Sequence, residues 1–157
     1  MKYNYLNIYN NLIKLTRNKN LYIKLGKQDT FSERLIFFFI HFAIFLKHYK
    51  TTVSSKKLQE IFDFVIKQIE VSIREAGYGD VSVNKNMKDY INIFYSLLKQ
   101  IESLDLSKRE NELKIYEKYL NTKKNLDFYG EYFNKYRLFL RKNTLNNFTK
   151  DIINLNF

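Results

Sequence analysis

Almost nothing in this chain can interrupt a helix: its 157 residues include no proline and only four glycines. Sandwiches and barrels need frequent turns, and turns draw heavily on those two residue types. Between the few breakers, apolar residues recur at spacings of three and four. The expectation is an all-α fold, a single compact domain of six or seven helices around a central apolar helix. The length is enough for one continuous core.

The spacing predicts a first helix over 5–17, with Ile8, Leu12 and Leu15 on a common side. A short helical turn over 21–25 ends at Gly26. Thr30-Phe31-Ser32-Glu33 has the pattern of a capping box, in which hydroxyl and carboxylate satisfy each other's backbone donors. The helix it opens runs to about Tyr49 and is apolar nearly all round, so it belongs at the centre. Its polar stripe is Arg34, His41 and His48, at intervals of seven. Ser54 or Ser55 caps the next helix, whose apolar face is Leu58, Ile61, Phe62, Val65, Ile69 and Ile73. Asp63–Lys67 and Glu70–Arg74 stand at the favourable i, i+4 spacing on its other side. Gly77 suits a left-handed C-terminal cap. Asp80 or Ser82 caps a helix with Met87, Tyr90, Ile91, Phe94, Leu98 and Ile101 inward. Ser107 to Glu110 repeats the capping-box pattern, ahead of Leu113, Tyr116 and Leu120. Tyr129, Tyr132, Phe133, Tyr136 and Leu140 mark a further helix, and Leu145, Phe148 and Ile152 a last short segment.

Several chemistries are excluded by what the chain lacks. Without cysteine there is no disulfide, no thiolate zinc site and no cysteine-held iron–sulfur cluster. His41 and His48, the only histidines, stand about 10.5 Å apart along a helix axis, too far for one metal. Neither lies near a nucleophile motif. His41, in an apolar run, reads as a core histidine bonded to a carbonyl or carboxylate, or as a partner-facing group between Phe37 and Phe45. Gly77-Tyr78-Gly79 follows a helix and lacks the third glycine of a nucleotide loop, so helix capping explains it better. No enzymatic activity and no cofactor are expected. The longest apolar run, Leu35 to Leu46, is shorter than the ~20 residues a bilayer crossing needs, and no secretory signal is visible.

The formal net charge is +11. Two readings of it stand: a basic docking surface, or lysine enrichment from AT-rich codons. Residues 1–28 carry Lys2, Lys14, Arg17, Lys19, Lys24 and Lys27 with no acid before Asp29, and that polarity favours a surface for anionic lipid or ribosomal RNA. The 13 tyrosines and 14 phenylalanines fall mostly at core spacing, no nucleic-acid motif is present, and DNA is not an expected partner.

Two blocks carry a more specific pattern. Tyr22-x-x-Leu25-Gly26-x-x-Asp29-Thr30 leads into Arg34 and His41, and Arg74-Glu75-x-Gly77-x-Gly79-Asp80-x-x-Val83-x-Lys85 follows, with Lys88 just beyond. Together, over about 20–100, they resemble the ubiquinol–cytochrome c chaperone family of respiratory complex III assembly factors. The resemblance implies a chaperone that engages newly made cytochrome b or another complex III subunit. The ribosome and an anionic membrane surface are the other partners it implies. The expected place is the cytoplasmic side of an inner membrane, or the matrix in a mitochondrion. It marks Tyr22, Arg34, His41, Arg74, Tyr78, Asp80, Lys85 and Lys88 as candidates for partner binding, beside a basic surface of Lys14, Arg17, Lys19, Lys24 and Lys27. Around the second block, Glu75 or Asp80 pairs with Arg34 or Lys85 to lock the loop, or the loop presents Tyr78 to a client. The chain departs from the family pattern at Phe94-Tyr95-Ser96-Leu97, where Gly-Arg is usual after Phe-Tyr, and at Lys47-His48-Tyr49, where arginines are usual. The role of the helices over 107–157 stays open.

Overall fold

A computed structural model describes residues 5–26, 30–76 and 80–150, with the backbone alone over 80–83. Eight helices run through them: α1 (Tyr5–Thr16), α2 (Lys19–Ile23), α3 (Phe31–Tyr49), α4 (Ser55–Glu75), α5 (Asp80–Ser103), α6 (Arg109–Leu120), α7 (Leu126–Arg141) and α8 (Leu145–Lys150). The all-α expectation holds. The count exceeds six or seven because α2 and α8, each little more than one turn, are helices in their own right.

α3 is the axis of the fold. It packs against α1, α5, α6 and α7, while α4 bridges α1 and α5, and α8 lies on α1. From Leu35 to Leu46 every residue except Ile36 is buried, His41 of the polar stripe included, as a helix apolar nearly all round requires. On one side Phe42 stacks on Phe62 of α4 and Phe94 of α5, with ring planes 13° and 16° apart. On the other, the α7 stripe Tyr129, Tyr132, Phe133, Tyr136 and Leu140 closes the core, all five buried as their spacing predicts. Offset aromatic pairs of this kind add about 0.5–1.5 kcal/mol each beyond the area they bury.

The helix ends follow local chemistry. Thr30 Oγ1 accepts from the Glu33 amide at 3.3 Å and Ser54 Oγ from the Lys57 amide at 3.2 Å, so both N-caps form, but the expected return bond from the Glu33 carboxylate to the Thr30 amide does not, and Glu33 Oε2 is buried without a partner. Gly26, at φ +66°, follows α2 in the left-handed region. Where glycine is missing, asparagine takes that conformation: Asn121 at φ 49° ends α6 and Asn125 at φ 59° precedes α7. The Asn125 amide also donates to the Lys24 carbonyl at 2.8 Å, tying the α6–α7 turn to α2.

Three local expectations are corrected. The Ser107 capping box does not form, because Ser107 donates its hydroxyl (2.6 Å) and its amide (3.0 Å) to Asp105 instead. α6 consequently starts at Arg109, with Lys108 before it and no side-chain cap. Neither Asp80 nor Ser82 stands ahead of α5 as its cap, since the helix already begins at Asp80. Lys67 reaches forward to Glu70 (3.4 Å), which also holds Arg74 (3.0 Å), while Asp63 accepts from Gln59. Two cations converging on Glu70 outcompete the single Asp63–Lys67 pairing, and these exposed pairs are each worth about 0–1 kcal/mol.

Candidate functional site

The sequence placed Arg17 in a basic surface and Arg34 among the partner contacts; the fold brings them to the same groove. Arg17 follows the last turn of α1 and Arg34 lies in the first turn of α3, both exposed. Between them, α1, α3 and α4 enclose a groove of about 330 Å³ with an apolar floor of Ile13, Leu35, Phe38 and Ile69. Phe31 and Asn10 complete the walls. At the base Ser72 donates to the Gln68 carbonyl at 3.1 Å, which leaves its oxygen to accept from the Tyr9 hydroxyl at 3.0 Å. Burial pushes the Tyr9 hydroxyl above its ordinary range, so it stays a donor at neutral pH. Arg17 and Arg34 thus flank an apolar trough whose floor has its hydroxyls bonded to each other or to the backbone. That arrangement suits an apolar segment carrying acidic or carbonyl groups along one edge.

The remaining candidates divide by burial. Tyr22 is in the core, its hydroxyl donating to the Thr16 carbonyl at 2.6 Å and its ring edge-on to Phe37. His41 is fully buried. Its Nδ1 lies 2.7 Å from the Phe37 carbonyl and therefore carries the proton, so Nε2 accepts from the Tyr132 hydroxyl, also at 2.7 Å. Desolvation lowers its pKa to about 4, against a smaller opposing effect from the Phe37 carbonyl, and the ring is neutral at pH 7. Its own carbonyl accepts from the Tyr136 hydroxyl at 2.9 Å. His41 is thus the polar joint between the central helix and α7, and neither it nor Tyr22 presents surface to a partner in this arrangement. Arg74, Lys85 and Lys88 are exposed, as are Lys14, Lys19 and Lys24. Lys24 Nζ lies 5.5 Å from the centre of the Phe128 ring, in a cation–π contact. Lys27, Tyr78 and the Asp80 side chain lie outside the described residues, and so does the lock expected between Asp80 and Arg34.

Sequence reasoning missed the polar interior beneath α7. Glu112 is buried and accepts from Tyr116 at 2.6 Å and from Arg137 at 2.9 Å. The Glu112-x-x-x-Tyr116 spacing is a detectable signal for the first of these bonds, but Arg137 arrives from another helix. Lys47, where the family pattern favours arginine, donates to the Ile101 (2.6 Å) and Leu104 (3.2 Å) carbonyls at the end of α5. An ammonium suffices there, since it caps carbonyls rather than gripping a carboxylate. At the other departure, Leu97 is buried, and Ser96 shares a 2.7 Å hydrogen bond with Tyr119 of α6. Among the described residues no group of three or more His, Asp or Glu is placed to hold a metal ion.

The family model described as ubiquinol-cytochrome C chaperone matches residues 24–114, more than half of the chain. The chain belongs to the ubiquinol–cytochrome c chaperone family. The matched region takes in the central helix, Arg34 and all of α4 and α5, while Arg17 and the α1 wall of the groove lie just before it. α7 and α8 lie beyond it, yet they complete the same core through Tyr132, Tyr136 and Phe148. Neither the curated proteins nor the solved structures gave a match. No helix among the described residues is long and apolar enough to cross a membrane.

Proposed function

We propose that this protein is an assembly chaperone for respiratory complex III that holds newly made cytochrome b at a membrane face. The observation that carries the reading is the family match over residues 24–114. The groove between α1, α3 and α4 supports it physically. A membrane-protein client exposes apolar helix surface before assembly, and a trough with an apolar floor and guanidinium edges can cover such surface without enclosing it. The work requires binding and release rather than bond chemistry, so no catalytic group takes part. The exposed cations Lys14, Arg17, Lys19 and Lys24 give α1 and α2 a side suited to anionic lipid, at about 1 kcal/mol per basic residue near a charged surface. The chaperone acts peripherally on the inner-membrane face where cytochrome b is inserted.

The same cations favour a second reading, a module that docks on ribosomal RNA without holding a client. The two separate by site-specific photo-crosslinking in a translation system making cytochrome b. A photoreactive residue at Ile13, in the groove, is expected to label cytochrome b; one at Lys19 is expected to label lipid or ribosome. Labelling of ribosomal RNA from both positions, with none of cytochrome b, overturns the chaperone reading.

A further inference from the structure

Lysines and one apolar side chain meet at the surface where α2 packs beside the turn between α6 and α7. Leu21, Tyr22 and Leu25 direct one side of α2 into the core. Its other side carries Lys19, Asn20, Ile23 and Lys24, all exposed. Ile23, at 68% exposure, is the most exposed large apolar side chain among the described residues. Single exposed apolar residues are ordinary, but this one stands beside cations from two distant parts of the chain.

Three contacts hold the α6–α7 turn against α2. Asn125 donates to the Lys24 carbonyl, the Tyr129 hydroxyl donates to the Leu21 carbonyl, each at 2.8 Å, and Lys24 Nζ lies over the Phe128 ring. The turn is shaped by the left-handed Asn121 and Asn125 and by the Thr122 hydroxyl, which accepts from the Lys124 amide at 3.1 Å. Lys123 and Lys124, between them, are exposed. Lys19, Lys24, Lys123 and Lys124 therefore belong to adjoining, mutually bonded segments. Within 19–24 and 121–128 the one carboxylate set against these four cations is Asp127, in the first turn of α7.

We propose that this composite surface seats the protein on an anionic bilayer, with Ile23 entering the headgroup boundary and the lysines of α2 and of the α6–α7 turn meeting lipid phosphates. The inference rests on the membrane-peripheral reading above. It adds an apolar anchor and a second segment, one that lies beyond the family-matched residues 24–114. The positive charge complements an anionic leaflet. An apolar side chain flanked by lysines suits the interface, where the ring or branch enters the acyl boundary and the ammonium groups reach outward to the headgroups. RNA offers phosphates but no apolar layer for Ile23. The two segments contain no arginine, and Phe128 is half-buried beneath Lys24 rather than open for base stacking.

The test is flotation of the full chain on phosphatidylcholine vesicles containing phosphatidylglycerol. Lys123→Gln with Lys124→Gln is compared with Lys56→Gln with Lys99→Gln, which removes the same charge from exposed positions of α4 and α5; both pairs leave α1 and α2 untouched. The turn pair should bind about 25-fold more weakly, at about fivefold per lysine, and the control pair nearly as the natural chain does. Ile23→Ser should weaken binding about tenfold. The chain has no cysteine, so Asn20→Cys carries one environment-sensitive fluorophore on the exposed side of α2. Its emission should shift to the blue on vesicles, and that of a label at Asp63→Cys on α4 should not. If the natural chain does not float, the membrane reading fails and this inference with it. If it floats while the turn pair and Ile23→Ser float like the control pair, the composite surface alone is overturned. If Ile23→Ser is silent and the turn pair instead loses sedimentation with ribosomes, the surface belongs to RNA and the lipid assignment is overturned.

Discussion

The joint between His41 and Tyr132 makes the stability of this protein sensitive to mild acid. In the folded chain the buried imidazole titrates at about 4, pushed down chiefly by desolvation; in the unfolded chain it titrates at about 6.5. Between those values the unfolded state binds a proton that the folded state refuses, so stability falls as pH drops. At 1.36 kcal/mol per pKa unit, the loss between pH 7 and pH 4 is about 3 kcal/mol from this one group. Carboxylates titrate over the same range, and a double variant isolates the histidine. His41→Leu with Tyr132→Phe removes the ionisable ring together with the hydroxyl bonded to it. Thermal unfolding followed by circular dichroism at pH 7 and pH 4 is the assay. A chain of this size loses about 2–4 °C per kcal/mol, so the acid-induced drop should be about 6–12 °C larger in the natural chain than in the double variant. Parallel pH dependences would show that the imidazole is not held neutral in the core, and the assignment of His41 as a structural joint would fail. Tyr132→Phe alone should cost about 1–3 kcal/mol at neutral pH, because His41 Nε2 is then buried without a donor.

Other consequences are open to simpler tests. Arg137→Leu strands the buried Glu112 carboxylate with only the Tyr116 hydroxyl, and should cost about 3–5 kcal/mol by urea unfolding; adding Glu112→Leu should recover most of it. Arg17→Glu with Arg34→Glu should leave the circular dichroism spectrum unchanged while reducing cytochrome b recovered on the protein, and unchanged recovery would move the client contact out of the α1–α3–α4 groove. Gly130→Ala should displace the Arg109 guanidinium at no net cost in stability by urea unfolding, since the gain in helix propensity is about 1 kcal/mol. A clear fall in melting temperature would show that the close Leu113 contact, not the guanidinium, is what the glycine accommodates.

The core was legible in the sequence wherever a periodic apolar stripe met a neighbour on one face. The α7 stripe from Tyr129 to Leu140 was predicted residue by residue, and so was the central position of the Leu35–Leu46 helix. Buried polar chemistry was harder to see, because its partners come from distant parts of the chain. His41 and Tyr132 are 91 residues apart, and Arg137 reaches Glu112 from 25 residues away. Local competition also misled: Ser107 reads as a helix cap until the preceding Asp105 is seen to take both its donors. The two arginines of the groove were visible individually, but their convergence depends on how α1 returns beside α3, which periodicity does not specify. The C-terminal helices had no assigned role in the sequence, and their contribution is likewise one of packing. Tyr132 and Tyr136 on α7 bond the central helix, and Asn7 and Asn11 of α1 donate to the Thr149 and Phe148 carbonyls of α8.

The most direct test of the chaperone reading is the level of assembled complex III in cells that lack this protein. Native gels probed for cytochrome b, with the reduced-minus-oxidised spectrum of b-type haem, should show loss of the complex while the other respiratory complexes are largely kept. Re-expression of the natural chain should restore it, and re-expression of the Arg17→Glu, Arg34→Glu chain should restore it poorly. Normal complex III in the deletion strain would contradict the account.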